Sequence, residues 1–302
     1  MIHGVINVYK EKGFTSHDVV AKLRGILGQK KIGHTGTLDP DAVGVLPVCI
    51  GKATKLCDML TDKDKTYETV MLLGKTTDTQ DISGRVLEEN QEMFIDENTL
   101  KEAILSFVGD YMQVPPMYSA LKVNGKKLYE LARDGIEVER KARPVRIHDI
   151  RILDIDFPKI RMEISCSKGT YIRTLCHDIG QKLGCGACME ELTRTKVSRF
   201  HIDNSLTLSQ IQEKQNNGTL CQILIPIEEM FSEYDAVYLK EEYVSFIYNG
   251  NIFLPKHMSN HIALKDGKKV RVYDNKGHFV AIYQFVKEKY LFKIEKMFLE
   301  RT

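Results

Sequence analysis

The hydrophobic positions of this chain alternate between the period of a strand and the period of a helix. Residues 3–10 (HGVINVYK) alternate as in a strand, and residues 16–29 have helical spacing after a turn at Gly13, with Ser16 predicted as the helix cap. A strand is predicted at 66–75, and two more at 144–168, separated by Pro158. Further helices are predicted at 52–61, 99–109, 126–135, 170–184 and 206–218. Because strands and helices mix without a regular βαβ repeat, we predict an α+β fold.

The pattern of apolar and polar residues changes after Pro226. Segments such as KKVRVYDNKGHFVAIYQF and KYLFKIEKMFL alternate apolar and polar residues around a turn at Asn275 and Gly277, as small antiparallel sheets do. We therefore predict a large domain at 1–230 and a β-rich module at 231–302, which at about 70 residues is large enough to fold alone.

Composition places the chain among ordinary folded proteins. Its 302 residues are 43% hydrophobic and 28% charged, which excludes collagen-like, disordered and disulfide-scaffold classes. No apolar run approaches the roughly 18–20 residues that span a bilayer, and the N-terminus lacks a secretory pattern, so a cytoplasmic location is expected. The odd number of cysteines, 7, predicts reduced thiols without structural disulfides.

Charge is distributed unevenly, although the net charge is only +2. Lys and Arg outnumber acids in residues 1–35, 117–151 and 256–302, whereas residues 86–110 are strongly acidic. A run of charge is most often a solvated face. The basic stretches therefore permit a nucleic-acid groove without proving one.

The densest candidate for chemistry is the segment GHTGTLDPDAVGVLPV, residues 33–48. Pro40 keeps Asp39 out of the helical region, so Asp39 is presented on a constrained loop that also carries His34. An alternative is a glycine-rich turn in which Asp39 caps backbone amides. The glycine spacing matches neither a dinucleotide-binding fingerprint nor a P-loop.

Several motifs along the chain together resemble the bacterial tRNA pseudouridine synthase B family. In order they are GHTGTLDP, GKATK, DKTYE, TDTQDISG, PPMYSALKVNGKKLYELAR, CSKGTYIRTL and LGCGA, and the resemblance as a whole covers roughly residues 3–200. The resemblance implies a mixed sheet flanked by helices and a C-terminal module like the PUA RNA-binding domain. Near the N-terminus, the usual Lys-Pro-x-Gly of the family is Lys10-Glu11-Lys12-Gly13 here.

The resemblance also assigns catalytic roles. It implies that Asp39 is the catalytic carboxylate, that Arg173 pairs with it, and that Tyr67 stacks on the target base and helps to remove the C5 proton. A guanidinium about 4–6 Å away lowers a carboxylate pKa, so we expect Arg173 to offset the desolvation of Asp39. Taken alone, Arg173 would be a surface residue of an amphipathic helix and Tyr67 a core residue.

Substrate-binding roles follow from the same resemblance. His34 is implied to pack against T-loop nucleotides, and Tyr171 and Leu192 to line the uracil pocket. Taken alone, His34 would be a hydrogen-bonded structural histidine and Leu192 a core residue. Candidate phosphate contacts are Lys10, Lys55, Lys122, Lys126, Lys127 and Arg143.

The implied reaction isomerises the T-loop uridine at tRNA position 55 to pseudouridine, without a cofactor or an energy source. The base must be flipped out of the loop, and neither a membrane nor a protein partner is expected for what we predict to be a monomer. A non-catalytic tRNA-binding or RNA-folding protein on the same fold is the alternative, although it has no need of Asp39, Tyr67 and Arg173 together.

A zinc site is a more distant alternative, because Cys185 and Cys188 follow Cys176 and His177. Adjacent helical residues do not face one metal well, and a second ligand pair at matching spacing is missing. We therefore predict no metal.

Overall fold

The computed structural model describes residues 1–90 and 94–299. Its strands before residue 231 are β1 (Gly4–Lys10), β2 (Ile32–His34), β3 (Val43–Ile50), β4 (Lys65–Leu73), β5 (Lys75–Thr77), β6 (Val86–Glu89), β7 (Gly109–Gln113), β8 (Lys122–Val123), β9 (Lys126–Lys127), β10 (Arg143–Asp156), β11 (Lys159–Cys166), β12 (Ala187–Val197) and β13 (Phe200–His201). Its helices there are α1 (Ser16–Leu27), α2 (Cys57–Thr61), α3 (Glu97–Leu105), α4 (Leu128–Arg133), α5 (Ile172–Leu183) and α6 (Leu208–Asn216). Short 3₁₀ helices lie at Gly51–Leu56, Ile202–Asn204, Leu220–Gln222 and Ile227–Phe231.

The main sheet is mixed, as the sequence predicts. Its strand order is β1-β3-β12-β4-β11-β10-β7, with β2 paired to β3 and β13 paired to β12. Strand β12 runs parallel to β3, whereas the other neighbours are antiparallel. This order places β12 between the strand that follows the Asp39 loop and the strand that carries Tyr67. The predicted α+β class is confirmed.

The N-cap of helix α1 lies one residue earlier than predicted. Thr15, not Ser16, is the cap: its hydroxyl accepts from the Asp18 amide at 3.1 Å, and the Asp18 carboxylate accepts from the Thr15 amide at 2.8 Å. Ser16 is buried and bonds to Leu38 instead. The apolar face of α1 packs on β1 and β3, where each fully buried aliphatic side chain contributes about 1.5–3 kcal/mol.

Several predicted elements exist with altered ends. Helix α3 starts after the cap residue Asp96 and ends at Leu105, so that β7 can begin at Gly109. Helix α4 is shorter than predicted, because residues 126–127 form β9. The predicted pair of strands around Pro158 is the antiparallel hairpin β10–β11. Helix α5 covers this part of the sheet and buries Leu175, among other residues, in the largest apolar cluster.

The C-terminal region forms a second, four-stranded sheet. It contains β14 (Asp235–Tyr238), α7 (Val244–Tyr248), β15 (Lys269–Tyr273), β16 (Phe279–Val286) and β17 (Leu291–Met297), with 3₁₀ helices at Glu241–Tyr243 and Pro255–His257. The strand order is β14-β15-β16-β17. The sheet is not wholly antiparallel as expected, because β14 runs parallel to β15. The turn predicted at Asn275 and Gly277 joins β15 to β16.

The two sheets share an apolar cluster. Ile282 and Phe298 of the C-terminal region pack in it with Val5, Leu56 and Phe200 of the main region. Phe231 lies in the same cluster, with its ring centroid 5.7 Å from that of Phe298. The domain boundary near residue 231 stays a prediction, and residues 300–302 of the predicted module lie outside the described part. Within residues 1–90 and 94–299, no helix is long and apolar enough to cross a membrane.

Candidate active site

Asp39 lies on the loop between β2 and β3, and the chain on each side of it is tied down. The Leu38 amide donates to Ser16 Oγ at 2.9 Å, and Pro40 O accepts from the Gly13 amide at 3.0 Å. Gly13 has φ 85°, a value that favours glycine. The start of α1 and the turn after β1 therefore fix the backbone on both sides of Asp39.

The carboxylate of Asp39 is paired with Arg173 of α5. Arg173 Nε lies 3.0 Å from Oδ2, and Arg173 Nη2 donates to Oδ1 at 3.3 Å, so the contact is bidentate. The Arg173 side chain is 6% exposed and that of Asp39 is 40% exposed. Arg173 is thus a buried site residue and not a surface residue of its helix. The carboxylate oxygens of Asp39 bind a guanidinium, and not the backbone amides of the alternative interpretation.

Arg173 has further partners that sequence reasoning missed. Its Nη1 lies 3.4 Å from Asp81 Oδ2 and donates to Thr79 O at 3.1 Å, while Nη2 donates to Tyr118 O at 3.0 Å. Asp81 belongs to the family motif TDTQDISG, and no pattern in the sequence assigns it a role. One arginine thereby joins the Asp39 loop, the turn after β5 and the segment that precedes β8.

Burial outweighs the ion pair at Asp39. Desolvation raises the pKa of the carboxyl, Arg173 lowers it, and the nearby carboxylate of Asp81 raises it again. The net direction is upward, so Arg173 offsets only part of the desolvation. Two carboxylates share one guanidinium here, and this weakens the effect of the cation on either of them.

Tyr67 lies on β4 and is 8% exposed. Burial raises the pKa of its phenol, and the Asp39 carboxylate acts in the same direction. Arg194 of β12 interacts with the Tyr67 hydroxyl and opposes that rise. Leu192, which also lies on β12, packs against the apolar cluster that contains Tyr67 and Leu38. Tyr67 and Leu192 therefore belong to one apolar cluster that also includes Leu38, the residue before Asp39.

Tyr171 precedes α5 and is held by Gln113 at the end of β7. The Tyr171 amide donates to Gln113 Oε1 at 2.8 Å, and Gln113 Nε2 donates to Tyr171 O at 3.0 Å. Burial raises the pKa of the Tyr171 phenol, and the charges of Arg173 and Asp39 also act on it. Tyr171 thus lies next to the ion pair.

His34 ends β2, five residues before Asp39. Its ring lies edge-on to that of His17, with the centroids 5.3 Å apart. Nδ1 is buried without a hydrogen-bond partner among the described residues, and burial lowers the pKa of the imidazole. The Gly36 backbone also acts on the imidazole and opposes the fall of its pKa, so the interpretation of His34 as a hydrogen-bonded structural histidine stays a prediction beside its RNA-contact role.

Two predicted phosphate contacts are used inside the protein. Lys10 is completely buried, and its Nζ donates to Glu11 O at 3.1 Å, Phe14 O at 2.6 Å and Pro40 O at 3.0 Å. Burial lowers its pKa to about 8. Lys55 Nζ donates to Met297 O of β17 at 2.7 Å. Lys10 does not reach an RNA phosphate from this position, and Lys55 links the main region to the C-terminal sheet.

The other candidate phosphate contacts lie on the surface. Lys122, Lys126 and Lys127 belong to the hairpin β8–β9, and Arg143 begins β10; all but Lys127, which is half-buried, are exposed. Lys127 Nζ donates to the Tyr129 hydroxyl at 3.0 Å. The hairpin follows Tyr118, whose carbonyl accepts from Arg173. Along the chain, the basic hairpin therefore comes soon after a residue that contacts Arg173 of the ion pair.

The cysteines do not assemble with His177. All seven cysteines are free, and Cys176 and Cys188 are completely buried. Within residues 1–90 and 94–299, no group of three or more His, Cys, Asp or Glu residues is arranged to hold a metal ion. Burial raises the pKa of Cys176 to about 12 and that of Cys188 to about 11.

A mixed sheet with a buried arginine paired to a loop aspartate, beside a buried tyrosine, is the arrangement that the motifs led us to expect. The family model described as TruB family pseudouridylate synthase (N terminal domain) matches residues 24–172. The model of the tRNA pseudouridylate synthase B C-terminal domain matches residues 173–232. The chain therefore belongs to the TruB family of pseudouridylate synthases.

Two relatives match this chain over nearly its full length. A protein of Lachnoclostridium phytofermentans named tRNA pseudouridine synthase B is 53% identical, over 99% of this chain and 100% of that protein. A protein of the same name from Clostridium acetobutylicum is 44% identical, over 97% and 99%.

Solved structures share the fold. A Cbf5-Nop10-Gar1 complex has a chain of TM-score 0.74 and 28% identity, covering 99% of this chain and 85% of that chain. A chain of an H/ACA RNP bound to a substrate RNA containing 2'-deoxyuridine has TM-score 0.73 and 26% identity, with coverage of 99% and 86%.

Proposed function

We propose that this protein is a tRNA pseudouridine synthase that isomerises the T-loop uridine at position 55, with Asp39 as its catalytic group. The observation that carries the proposal is the bidentate pair of Asp39 with the buried Arg173 at a partly open site. A carboxylate in this setting can act as a nucleophile or stabilise positive charge at the sugar carbon. The relatives named tRNA pseudouridine synthase B support the choice of substrate class.

The reaction breaks the bond between N1 of uracil and C1′ of the ribose and forms a bond between C5 and C1′. The C5 proton is lost and N1 gains a proton, so no oxidant, reductant or cofactor is consumed. Asp39 acts at the sugar and Arg173 keeps the carboxylate oriented. Tyr67 and Tyr171 flank the flipped base, Leu192 contributes an apolar wall, and His34 contacts the T loop.

Substrate binding must supply the energy that flips the base, a few kcal/mol. The exposed Lys122, Lys126 and Arg143 are suited to phosphate contacts near the site. We propose that the tRNA T arm lies along this hairpin and that the PUA-like C-terminal region extends the contact. The enzyme works in the cytoplasm as a monomer and requires no protein partner. A non-catalytic RNA-binding protein would have no need of the Asp39, Tyr67 and Arg173 set.

The test is incubation of the purified full-length chain with an unmodified tRNA transcript, followed by mapping of pseudouridine at each uridine. We expect modification at position 55 by the wild-type protein and none by Asp39→Asn. A transcript with cytidine at position 55 should remain unmodified. Pseudouridine at another position would refute the assignment of the target, and its absence from every transcript would refute the enzymatic function.

A further inference from the structure

Among residues 1–90 and 94–299, Arg194 has the largest completely buried side chain, and no local sequence pattern selects it. It is 1% exposed. On β12 it pairs with Tyr67 of the antiparallel strand β4 and with Gly44 of the parallel strand β3. Gly44 has φ 106°, and a Cβ there would lie 2.3 Å from Arg194 O, so only glycine permits this approach. Arg194 therefore lies between the strand after the Asp39 loop and the strand that carries Tyr67.

The contacts of the Arg194 guanidinium reach the Asp39 loop. Nε donates to Val45 O at 2.8 Å, and Nη1 donates to Thr37 O at 3.5 Å, two residues before Asp39. Nη2 has no hydrogen-bond partner among the described residues. No carboxylate forms an ion pair with Arg194 in residues 1–90 and 94–299. The cation is thus held by carbonyl oxygens and keeps donor capacity to spare.

A buried cation without a counter-ion costs several kcal/mol, and arginine does not escape the cost by losing its proton. The group beside it is the Tyr67 phenol, and each of the two shifts the pKa of the other. A cation favours the charged form of an adjacent acid. A negative charge on the Tyr67 oxygen would therefore find its counter-ion already in place.

We propose that Arg194 is a positioning residue for the reaction, which holds the Tyr67 oxygen against the Asp39 loop and stabilises negative charge on that oxygen. The inference rests on the proposed function, in which Tyr67 helps to remove the C5 proton. Tyr67 first gives its phenol proton to water, and its phenolate oxygen then takes the proton from C5, which restores the phenol. The C5–H electron pair re-forms the C5–C6 double bond, the C6–N1 π pair moves to N1, and N1 takes a proton from water.

The experiment compares Arg194→Met, Arg194→Gln and Arg194→Lys in the full-length chain. Arg161→Met is the matched control, because Arg161 is an exposed arginine on β11, a strand that does not pair with β12. Two quantities are measured: kcat and KM on tRNA transcript, and the titration of Tyr67, taken as the ultraviolet difference between each protein and the same protein with Tyr67→Phe.

We expect the neutral variants to lower kcat by about 100-fold or more, in the range of general acid–base effects, with KM changed by less than about threefold. Tyr67 should titrate at higher pH in these variants than in the wild type. Arg194→Lys keeps the charge but not the planar fork, so kcat should fall at least about tenfold while part of the titration shift is rescued. Arg161→Met should match the wild type in both measurements.

A lower melting temperature with unchanged kcat and an unchanged Tyr67 titration would reduce Arg194 to a structural residue and overturn the proposal. If both neutral variants fail to fold, wild-type kcat in Arg194→Lys overturns it as well. The proposed function is tested separately by Tyr67→Phe. Normal turnover of Tyr67→Phe would show that Tyr67 takes no part in the chemistry. Poor turnover of Tyr67→Phe together with normal turnover of the Arg194 variants would refute only the role of Arg194.

Discussion

The completely buried ammonium of Lys10 donates a hydrogen bond to the carbonyl oxygen of Pro40, the residue that follows Asp39. Lys10 also binds Glu11 O and Phe14 O, and the Gly13 amide binds Pro40 O. These bonds organise the turn in which Glu11 replaces the usual proline of the family. A lysine at the end of β1 therefore connects the first turn of the chain to the Asp39 loop.

Replacement of Lys10 tests this anchoring role. Lys10→Met leaves three carbonyl oxygens without a charged donor, so we expect a loss of about 2 kcal/mol or more in unfolding free energy. The Asp39 loop loses one of its restraints, so kcat should fall. Urea denaturation and turnover on transcript measure the two effects, and Lys12→Met, an exposed neighbour, is the control. A normal stability with a shallower salt dependence of tRNA affinity would instead favour a phosphate contact.

The role of Asp39 predicts a separation of binding from turnover. Asp39→Asn keeps the size of the side chain but removes the charge that pairs with Arg173. We expect tRNA affinity and folding close to wild type and turnover below detection. Filter binding and single-turnover assays on the same preparation measure this. Residual activity within tenfold of wild type, about 1.4 kcal/mol, would show that the carboxylate is not catalytic.

The pH dependence of turnover should reflect the raised pKa of Asp39. The ionised form is lost as the pH falls through this pKa, so the acid limb of the kcat profile lies above the usual aspartate value of 3.8. Asp81→Asn removes a negative charge that raises the Asp39 pKa, and the limb should therefore move to lower pH. The plateau should fall because Arg173 loses a partner at 3.4 Å. Glu88→Gln, an exposed acidic residue, should leave the profile unchanged; a limb that stays in place in Asp81→Asn contradicts the coupling.

The hairpin β8–β9 should contribute electrostatic affinity. The double variant Lys122→Gln and Lys126→Gln removes two exposed charges. Each lost phosphate contact lowers the slope of log affinity against log salt by about 0.7–0.9. We expect a shallower slope and a higher KM with a near-normal kcat at saturating tRNA. Salt titrations of binding measure the slope, with Lys159→Gln, an exposed lysine at the start of β11, as the control. An unchanged slope would remove the hairpin from the RNA interface.

Removal of the C-terminal region after residue 231 should affect stability as well as binding. Ile282 and Phe298 leave the apolar cluster that also contains Val5 and Phe200. Each exposed apolar side chain costs about 1.5–3 kcal/mol, so the truncated protein should melt at a lower temperature. Where it remains folded, it should bind full tRNA more weakly and act on an isolated T-arm hairpin like the full chain. Equal losses on hairpin and full tRNA in the folded truncated protein would mean that the region supports the active site.

Elements that depend on a local pattern of apolar, glycine and proline residues are predictable from the sequence. The apolar spacing of α1, the hairpin around Pro158 and the alternation in β15 and β16 all depend on neighbours within a few residues, and all were predictable. The Asp39 loop was identifiable for the same reason, because its glycines and Pro40 restrict the backbone directly. Ends of elements were less predictable, since a cap such as Thr15 competes with an equally suitable Ser16 that packing diverts to Leu38.

Which polar side chains are buried, and what they contact, depends on the tertiary structure. Asp39 and Arg173 are 134 residues apart, and their pairing rested on family motifs, because local pattern carries no information about it. Arg194 lies in the polar run T-R-T-K, which is typical of a solvent-facing strand, and it is enclosed only because β12 is inserted between β3 and β4. Lys10 and Lys55 resemble surface charges in the sequence, yet Lys10 binds the distant carbonyl of Pro40 and Lys55 that of Met297. Burial of a charge depends on strands brought together from across the chain, and no local period records that arrangement.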